Sequence, residues 1–290
     1  MTRVPAWSTP LFFVVGAVSQ YVGAAVGVFL FETTDPAAVA WLRVATAAVA
    51  LLAWRRPWRA RWTRRSIATA GAFGVVTVAM NVTFFEAIAR IPLGTAVAIE
   101  FLGPVAVAVV GSRRVRDLVA VLLAGVGVVL VAGAQLGVDP AGVGFALLAA
   151  ALWAGYILVG KRVADAGSGL DSLAVGMAVA AVVLAAPLLA HQLVDDASVF
   201  ADPRLWALGA AVGVLSTAVP YGLDQVVLRR MGRARFALLL ALLPATAAVV
   251  GAVALAQRPT VSEVAGIALV MAALVVSAER GDTVGGISSG

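Results

Sequence analysis

The sequence contains no cysteine and few charged residues. Without cysteine, no disulfide, thiolate metal site or redox-active thiol pair can form. Charged residues make up 12% of the 290 positions and hydrophobic residues 62%, against about 25% charged and about 45–50% apolar in a typical soluble domain. So few charges could not cover the surface of a soluble core of this size. The composition therefore predicts a membrane protein that crosses the bilayer many times.

Several kinds of catalytic and cofactor motif are also missing. The chain has no Walker motif, no HExxH zinc motif, no dinucleotide-binding glycine fingerprint and no EF-hand loop. The only histidine, His191, is expected near the outer end of a span without a partner. We therefore expect no enzyme activity, no cofactor and no metal, and an ion or substrate gradient as the energy source for any active transport.

Apolar runs of about 20 residues, the length that crosses a bilayer, divide the chain into about ten predicted helices. The second run is short and contains Arg43. The predicted spans are Leu11–Phe31, Ala37–Ala53, Ile67–Ala89, Leu93–Val110, Leu118–Leu136, Gly142–Gly160, Leu170–Ala190, Leu205–Leu228, Phe236–Ala256 and Val261–Ser277. The fold class is thus an all-α membrane protein.

Basic residues predict the orientation of these spans. If the N-terminus is cytoplasmic, all but four of the 21 basic residues fall in cytoplasmic segments, among them the loop "RRPWRARWTRRS". The exceptions are Arg43 within a span and Arg90, Arg204 and Arg258 in the opposite loops. Positive residues favour the cytoplasmic side, so both termini are predicted there. The same residues would contact anionic membrane lipids, which leaves little support for binding to nucleic acid.

The two halves of the chain resemble each other weakly. "FFEAIARIPLGTAVAIEFLGPVAVAVVG" and "YGLDQVVLRRMGRARFALLLALLPATAAVVG" share an acid, a short loop, an apolar helix and a proline, with Glu86 matching Asp224 and Pro104 matching Pro244. Five spans per half would give the halves opposite orientations, as in secondary transporters. We therefore predict a first five-helix repeat over 1–137, a second over 138–282 and a disordered tail over 283–290.

Four ionisable residues fall inside predicted spans, where each costs about 2.5–3.5 kcal/mol unless it is paired or hydrated. They are Arg43, Glu86, Glu100 and Asp224. Arg43 and Glu100 are expected at similar depth. They could share a zwitterion, with the guanidinium holding a carboxylate and Glu100 an ammonium. Alternatively, they could form a permanent pair that fixes helix register, Arg43 could cap the carbonyls of a broken helix, or Glu100 could carry a proton.

Polar and aromatic residues at similar depth predict a cavity around this pair. The predicted substrate-binding residues are Arg43, Glu100, Gln20, Tyr21, Asn81, Trp153, Tyr156 and Tyr221. The prolines within spans remove helix hydrogen bonds and free carbonyls, although such kinks are also common without a ligand. The candidates for coupling or gating are Glu86, Asp224, Pro104, Pro220 and Pro244.

Three stretches carry a family resemblance: "GTAVAIEFLGPVAVAVVGSRR", "LLAAALWAGYILVGKRV" and "GVLSTAVPYGLD". They resemble the EamA group of the drug/metabolite transporter superfamily, and most of all its bacterial threonine/homoserine exporters, from about Leu11 to Glu279. The resemblance implies ten helices in inverted repeats, a central cavity and efflux across the cytoplasmic membrane. Leu243 and Gln257 stand where glutamate is usual in the subgroup, and Asp224 stands where it tends to have glutamate.

The leading functional hypothesis is secondary-active export of small amino acids such as threonine or homoserine by alternating access, in a bacterial inner membrane. The expected partners are a small-molecule substrate and membrane lipids, with protons as a candidate coupling ion. One alternative is efflux of cationic drugs or nucleobase-like metabolites, with Arg43 structural. A second is a lipid-binding scaffold that transports nothing, which would have a cavity too small or too dry for a solute.

Overall fold

The computed structural model describes residues 8–60, 62–109, 115–136, 139–165, 169–221, 223, 227 and 239–278. In these ranges all regular structure is helical, which confirms the all-α fold class. The helices are α1 Ser8–Leu30, α2 Pro36–Arg55, α3 Arg64–Ile88, α4 Leu93–Glu100, α5 Leu102–Val109, α6 Val115–Leu136, α7 Pro140–Asp165, α8 Gly169–Val183, α9 Ala185–Asp195, α10 Pro203–Gly213, α11 Leu243–Ala254 and α12 Val261–Ala278. A 3₁₀ turn at Pro57–Arg59 follows α2.

The lengths of these helices agree with a membrane protein. Four described helices are long and apolar enough to cross a bilayer, and the α8–α9 pair, bent by 44°, makes up to five. Shorter apolar helices cover Leu93–Val107, Leu118–Gly133, Leu243–Ala254 and Val261–Ser277. The count of ten spans and the cytoplasmic termini stay predictions, and the tail over 283–290 lies outside the described residues.

Prolines coincide with the breaks in the apolar helices, because proline has no N–H to donate to the carbonyl four residues earlier. Pro104 follows the interruption at Phe101, so the Glu100 carbonyl loses its usual partner. Pro244 follows a turn at residues 241–242, and Pro187 follows the break between α8 and α9. The fourth and ninth predicted spans are therefore both interrupted three residues or fewer before a proline.

The described helices pack around two buried clusters. The larger one joins α1 and the α4–α5 segment to α6, α7, α10, α11, α12 and parts of α2 and α3. The smaller one joins other parts of α2 and α3 to α8. The pairing of α6 with α12 is the most extensive contact between elements. There a Cβ added to Gly127 would stand 2.8 Å from the carbonyl oxygen of Gly266. Small residues thus let the two helices approach closely, as in membrane helix pairs generally.

Candidate functional site

A cavity of about 170 Å³ lies among the described helices. Residues before 137 supply its ionisable side chains, and residues after 138 supply mainly aromatic and aliphatic ones. The lining residues are Gln20, Arg43, Thr77, Met80, Asn81, Phe84, Glu100, Trp153, Tyr156, Met177, Ser216, Thr217, Pro220, Tyr221, Leu240 and Leu243. Both halves of the chain therefore enclose one space that holds an acid and a base.

Glu100 ends α4 at the point where the helix breaks, and its side chain faces the cavity. The residue is 9% exposed. In the part of the chain that the structure describes, no protein group donates a hydrogen bond to its carboxylate, and no ion pair includes it. A buried carboxylate without a partner is unfavourable. The arrangement favours a cationic or hydrogen-bond-donating ligand.

Arg43 projects from α2 and contacts the irregular end of α10. Its Nη2 donates to the Ser216 carbonyl over 3.2 Å and its Nε to the Thr217 hydroxyl over 3.4 Å. Its guanidinium also lies over the Phe85 ring, 5.3 Å from the centroid. A guanidinium carries more N–H groups than these contacts use, so Arg43 can still donate into the cavity.

The Ser216 carbonyl is available to Arg43 because the helix is irregular there. Residues Val214–Ala218 form a π-helical turn, in which the Val219 N–H donates to the Val214 carbonyl. Pro220 cannot donate to the Ser216 carbonyl four residues earlier. The Leu215 carbonyl, whose usual donor would be the Val219 N–H, accepts from the Ser19 hydroxyl over 2.8 Å. Arg43 thus donates to one carbonyl that the irregular helix leaves free, and its role in the protein stays a prediction.

The acid and the base are not locked together. Of the described side chains, those of Arg43 and Glu100 line the same cavity, yet no ion pair within 4.0 Å joins them. The separate arrangement leaves each group able to take one end of a zwitterion. No cluster of His, Asp, Glu or Cys in the described ranges could hold a metal ion.

Aromatic side chains close one wall of the cavity. The hydroxyl groups of Tyr156 and Tyr221 lie 3.4 Å apart and join α7 to the segment after α10. The Tyr156 ring stacks on Phe73 at 4.9 Å. Trp153 meets Phe101 edge to face, with centroids 4.7 Å apart, directly beside the break after Glu100. These contacts support the shape of the cavity next to its charged groups.

Seven of the eight predicted substrate-binding residues line the cavity, and Tyr21 does not. Tyr21 is 2% exposed and packs in the larger buried cluster. Of the coupling candidates, Pro220 lines the cavity, whereas Pro104 and Pro244 lie in α5 and near the start of α11. Asp224 lies outside the described residues.

Two ionisable groups near helix ends have partners that the sequence analysis did not identify. Glu86 forms an ion pair with Arg90 one turn later, and the Arg90 guanidinium lies 4.9 Å from the centroid of the Phe145 ring. The expectation that His191 lacks a partner is wrong, because its Nδ1 lies 2.7 Å from a carboxylate oxygen of Asp35. The i, i+4 spacing could have revealed the first pair, but no local pattern could have revealed the second.

Ser216 and Thr217 lie in the stretch "GVLSTAVPYGLD" quoted above, and six further lining residues escaped the sequence analysis. Three of them, Thr77, Met80 and Phe84, share a helical face with Asn81. Leu240 stands four residues before Pro244, as Glu100 stands four before Pro104. The helical spacing and the internal repeat were therefore signals that could have found these four, whereas Met177 and Leu243 had no such local signal. The residues concerned are Thr77, Met80, Phe84, Met177, Leu240 and Leu243.

Comparison with known proteins gives a consistent set of relatives. The sequence profile of the EamA-like transporter family matches residues 140–278. The threonine/homoserine exporter RhtA of Salmonella typhimurium (strain LT2) is 35% identical over 289 residues, which cover 97% of this chain and 93% of the relative. RhtA of Escherichia coli (strain K12) is 36% identical over 281 residues, covering 94% and 92%. A protein crystal structure 18% identical in sequence matches 98% of this chain and 99% of its own with a TM-score of 0.62, which supports the fold alone.

Proposed function

The chain belongs to the EamA-like transporter family, and from that premise we propose that it is a secondary-active exporter of small amino acids of the threonine and homoserine kind. The observation that carries this proposal is the carboxylate of Glu100, which has no partner among the described residues, in a cavity that also contains the Arg43 guanidinium. Glu100 would hold the substrate ammonium. Arg43 would hold the substrate carboxylate with the N–H groups that Ser216 and Thr217 do not use.

The size of the cavity supports a small substrate. Its volume is about 170 Å³, and a cavity of about 150 Å³ is known to hold benzene. Threonine and homoserine are only slightly larger than benzene, whereas most cationic drugs are much larger. The volume therefore favours amino acids over cationic drugs, although nucleobase-like metabolites would also fit, and the polar lining disfavours a dry lipid-binding scaffold.

Alternating access is the mechanism that we propose for this export. The cavity walls come from both predicted repeats, and the helices around it are interrupted near Glu100, at Val214–Ala218 and before Pro244. Such breaks lie near the binding sites of inverted-repeat transporters. Rocking of one repeat against the other would expose the site to each side in turn. The protein would act in the bacterial inner membrane, with protons as a candidate coupling ion.

Transport by purified protein in liposomes tests the assignment of the two charged groups. Charge-assisted hydrogen bonds contribute about 1.5–3 kcal/mol, so Arg43→Gln and Glu100→Gln should each reduce threonine flux about tenfold or more. Threonine amide, which lacks the carboxylate, should not compete with threonine in the wild-type protein. Arg55→Gln, which breaks the surface ion pair with Asp171, and Glu32→Gln at an exposed site are the matched controls.

The same assay separates the proposal from its alternatives. Export of an organic cation that survives Arg43→Gln, with no amino-acid flux in the wild-type protein, would support drug efflux instead. Absence of saturable flux for every amino acid and every organic cation tried would support the scaffold. Thermal denaturation of each variant shows whether a loss of flux reflects unfolding rather than loss of a substrate contact.

A further inference from the structure

Asn81 presents a fixed hydrogen-bond acceptor to the cavity. The residue lies in α3, is 6% exposed and lines the cavity wall. Its Nδ2 donates to the Thr77 carbonyl, one turn earlier, over 2.7 Å. This bond directs the amide nitrogen toward the backbone and the Oδ1 atom away from it. In the described part of the chain, no protein group donates to Oδ1. Every inaccessible side-chain N or O atom there has a hydrogen-bond partner, so Oδ1, which has none, is accessible from the cavity.

The hydroxyl groups that line the cavity are already engaged by the protein. The Thr77 hydroxyl donates to the Phe73 carbonyl over 2.8 Å and the Ser216 hydroxyl to the Gln20 carbonyl over 3.1 Å. The Thr217 hydroxyl accepts from Arg43, and the hydroxyls of Tyr156 and Tyr221 face each other. If Glu100 and Arg43 hold the charged ends of a substrate, two side-chain amides of the cavity remain for the side chain of the substrate, those of Asn81 and Gln20. Of these two, the Asn81 amide is held in one orientation by a hydrogen bond to the backbone.

This wall of the cavity should distinguish substrates by the polarity of their side chain more than by its size. Met80 and Phe84 lie on the same face of α3 and also line the cavity, so an apolar substrate side chain would fit there sterically. However, it would remove water from the Oδ1 atom without replacing the hydrogen bond, which is unfavourable. A site built to bond a hydroxyl rejects the analogue without it far more strongly than a site that discriminates by size alone.

We propose that Asn81 is a specificity-determining residue, whose side-chain oxygen accepts a hydrogen bond from the side-chain hydroxyl of the transported amino acid. The proposal rests on the proposed function, because it assumes that Arg43 and Glu100 orient an amino acid in the cavity. It adds the reason for a preference among amino acids of similar size. Threonine and homoserine share this hydroxyl at different carbons, and removal of the hydroxyl converts both into 2-aminobutyrate.

Flux of threonine, homoserine and 2-aminobutyrate in proteoliposomes tests this role. The wild-type protein should transport the two hydroxylated substrates with a kcat/KM about tenfold or more above that of 2-aminobutyrate. Asn81→Leu, which keeps the branched shape of the side chain without the acceptor, should reduce threonine transport about tenfold. It should change 2-aminobutyrate transport about twofold at most, so that the preference is lost. Thr83→Val is the control. Among the described residues the Thr83 hydroxyl bonds only to backbone carbonyls of its own helix, and Thr83 lies outside the cavity lining.

Each outcome decides the assignment. An equal loss of transport for all three substrates in Asn81→Leu would overturn the proposal, because Asn81 would then contact the ammonium or support the fold. A wild-type protein that shows no preference for the hydroxylated substrates would overturn it as well. If Asn81→Leu does not fold, the preference is measured in Asn81→Ala. The rise in thermal midpoint of the wild-type protein on adding each ligand measures the same preference independently. It should be larger with threonine than with 2-aminobutyrate. Failure to transport any amino acid would overturn the proposed function itself, which is a distinguishable result.

Discussion

Two carboxylates are buried among the described residues, Glu100 and Glu263, and their surroundings differ at the level of single atoms. Glu263 accepts from the Thr95 hydroxyl over 2.7 Å, the Gln135 amide over 3.0 Å, and the backbone N–H and hydroxyl of Thr260 over 2.7 and 2.9 Å. Its charge is therefore satisfied by the protein alone. Among the described residues Glu100 has no such donors, and for this reason we propose substrate binding for Glu100 and a structural role for Glu263.

Replacement of Glu263 tests this structural role. In Glu263→Gln one carboxylate oxygen becomes an amide nitrogen, which cannot accept a hydrogen bond. At least one of the four buried or part-buried donors therefore loses its partner, at a cost of about 1–3 kcal/mol. We expect a lower thermal midpoint in detergent, measured by intrinsic fluorescence. Glu32→Gln, at an exposed position, should leave the midpoint unchanged. An unchanged midpoint for Glu263→Gln would show that the network adds no stability.

At the scale of elements, the close crossing of α3 and α8 requires small residues on both helices. Gly74 of α3 faces the backbone of Gly176 in α8, and a Cβ at Gly74 would clash with the Gly176 carbonyl group. The reciprocal Cβ at Gly176 would clash with the Ala70 carbonyl oxygen. Because backbone atoms cannot move aside as a flexible side chain can, a methyl group at this crossing would force the two helices apart.

Alanine substitution measures this requirement. Gly74→Ala should abolish or strongly reduce the yield of folded protein, assayed by size-exclusion chromatography after extraction. Gly125→Ala in α6 is the matched control, since nothing lies within 4 Å of a Cβ added there. Alanine is favoured over glycine within a helix by about 1 kcal/mol, so the control should be as stable as wild type or more so. Normal yield and stability of Gly74→Ala would contradict the packing described.

At the scale of the whole molecule, the absence of cysteine allows the predicted orientation to be measured without removing native thiols. Ala201 and Ala60 are both exposed, the first between α9 and α10 and the second just after the 3₁₀ turn. With a cytoplasmic N-terminus, Ala201→Cys should react with a membrane-impermeant maleimide in intact cells. Ala60→Cys should react only after permeabilisation. The reverse pattern would invert the topology, and labelling of both in intact cells would contradict it.

Part of the fold was predictable because the relevant residue types act locally. The high apolar content predicted helices in a membrane, and prolines such as Pro104 and Pro244 marked positions where a helix cannot continue its hydrogen bonds. Isolated charges such as Arg43 and Glu100 stood out against an apolar background, since each is costly in a bilayer. Both were therefore identifiable as candidate site residues before any coordinates.

The sequence by itself determined the class of protein, the costly residues and the candidates for helix breaks. Only the tertiary structure decided which side chains meet: Arg43 with the Ser216 carbonyl, Asp35 with His191, Thr95 with Glu263, and Tyr21 with the core rather than the cavity. The physical reason is that such contacts depend on the rotation and crossing of helices distant in the chain. Long runs of alanine, valine and leucine are apolar on every face, so their pattern does not specify which face of a helix turns inward.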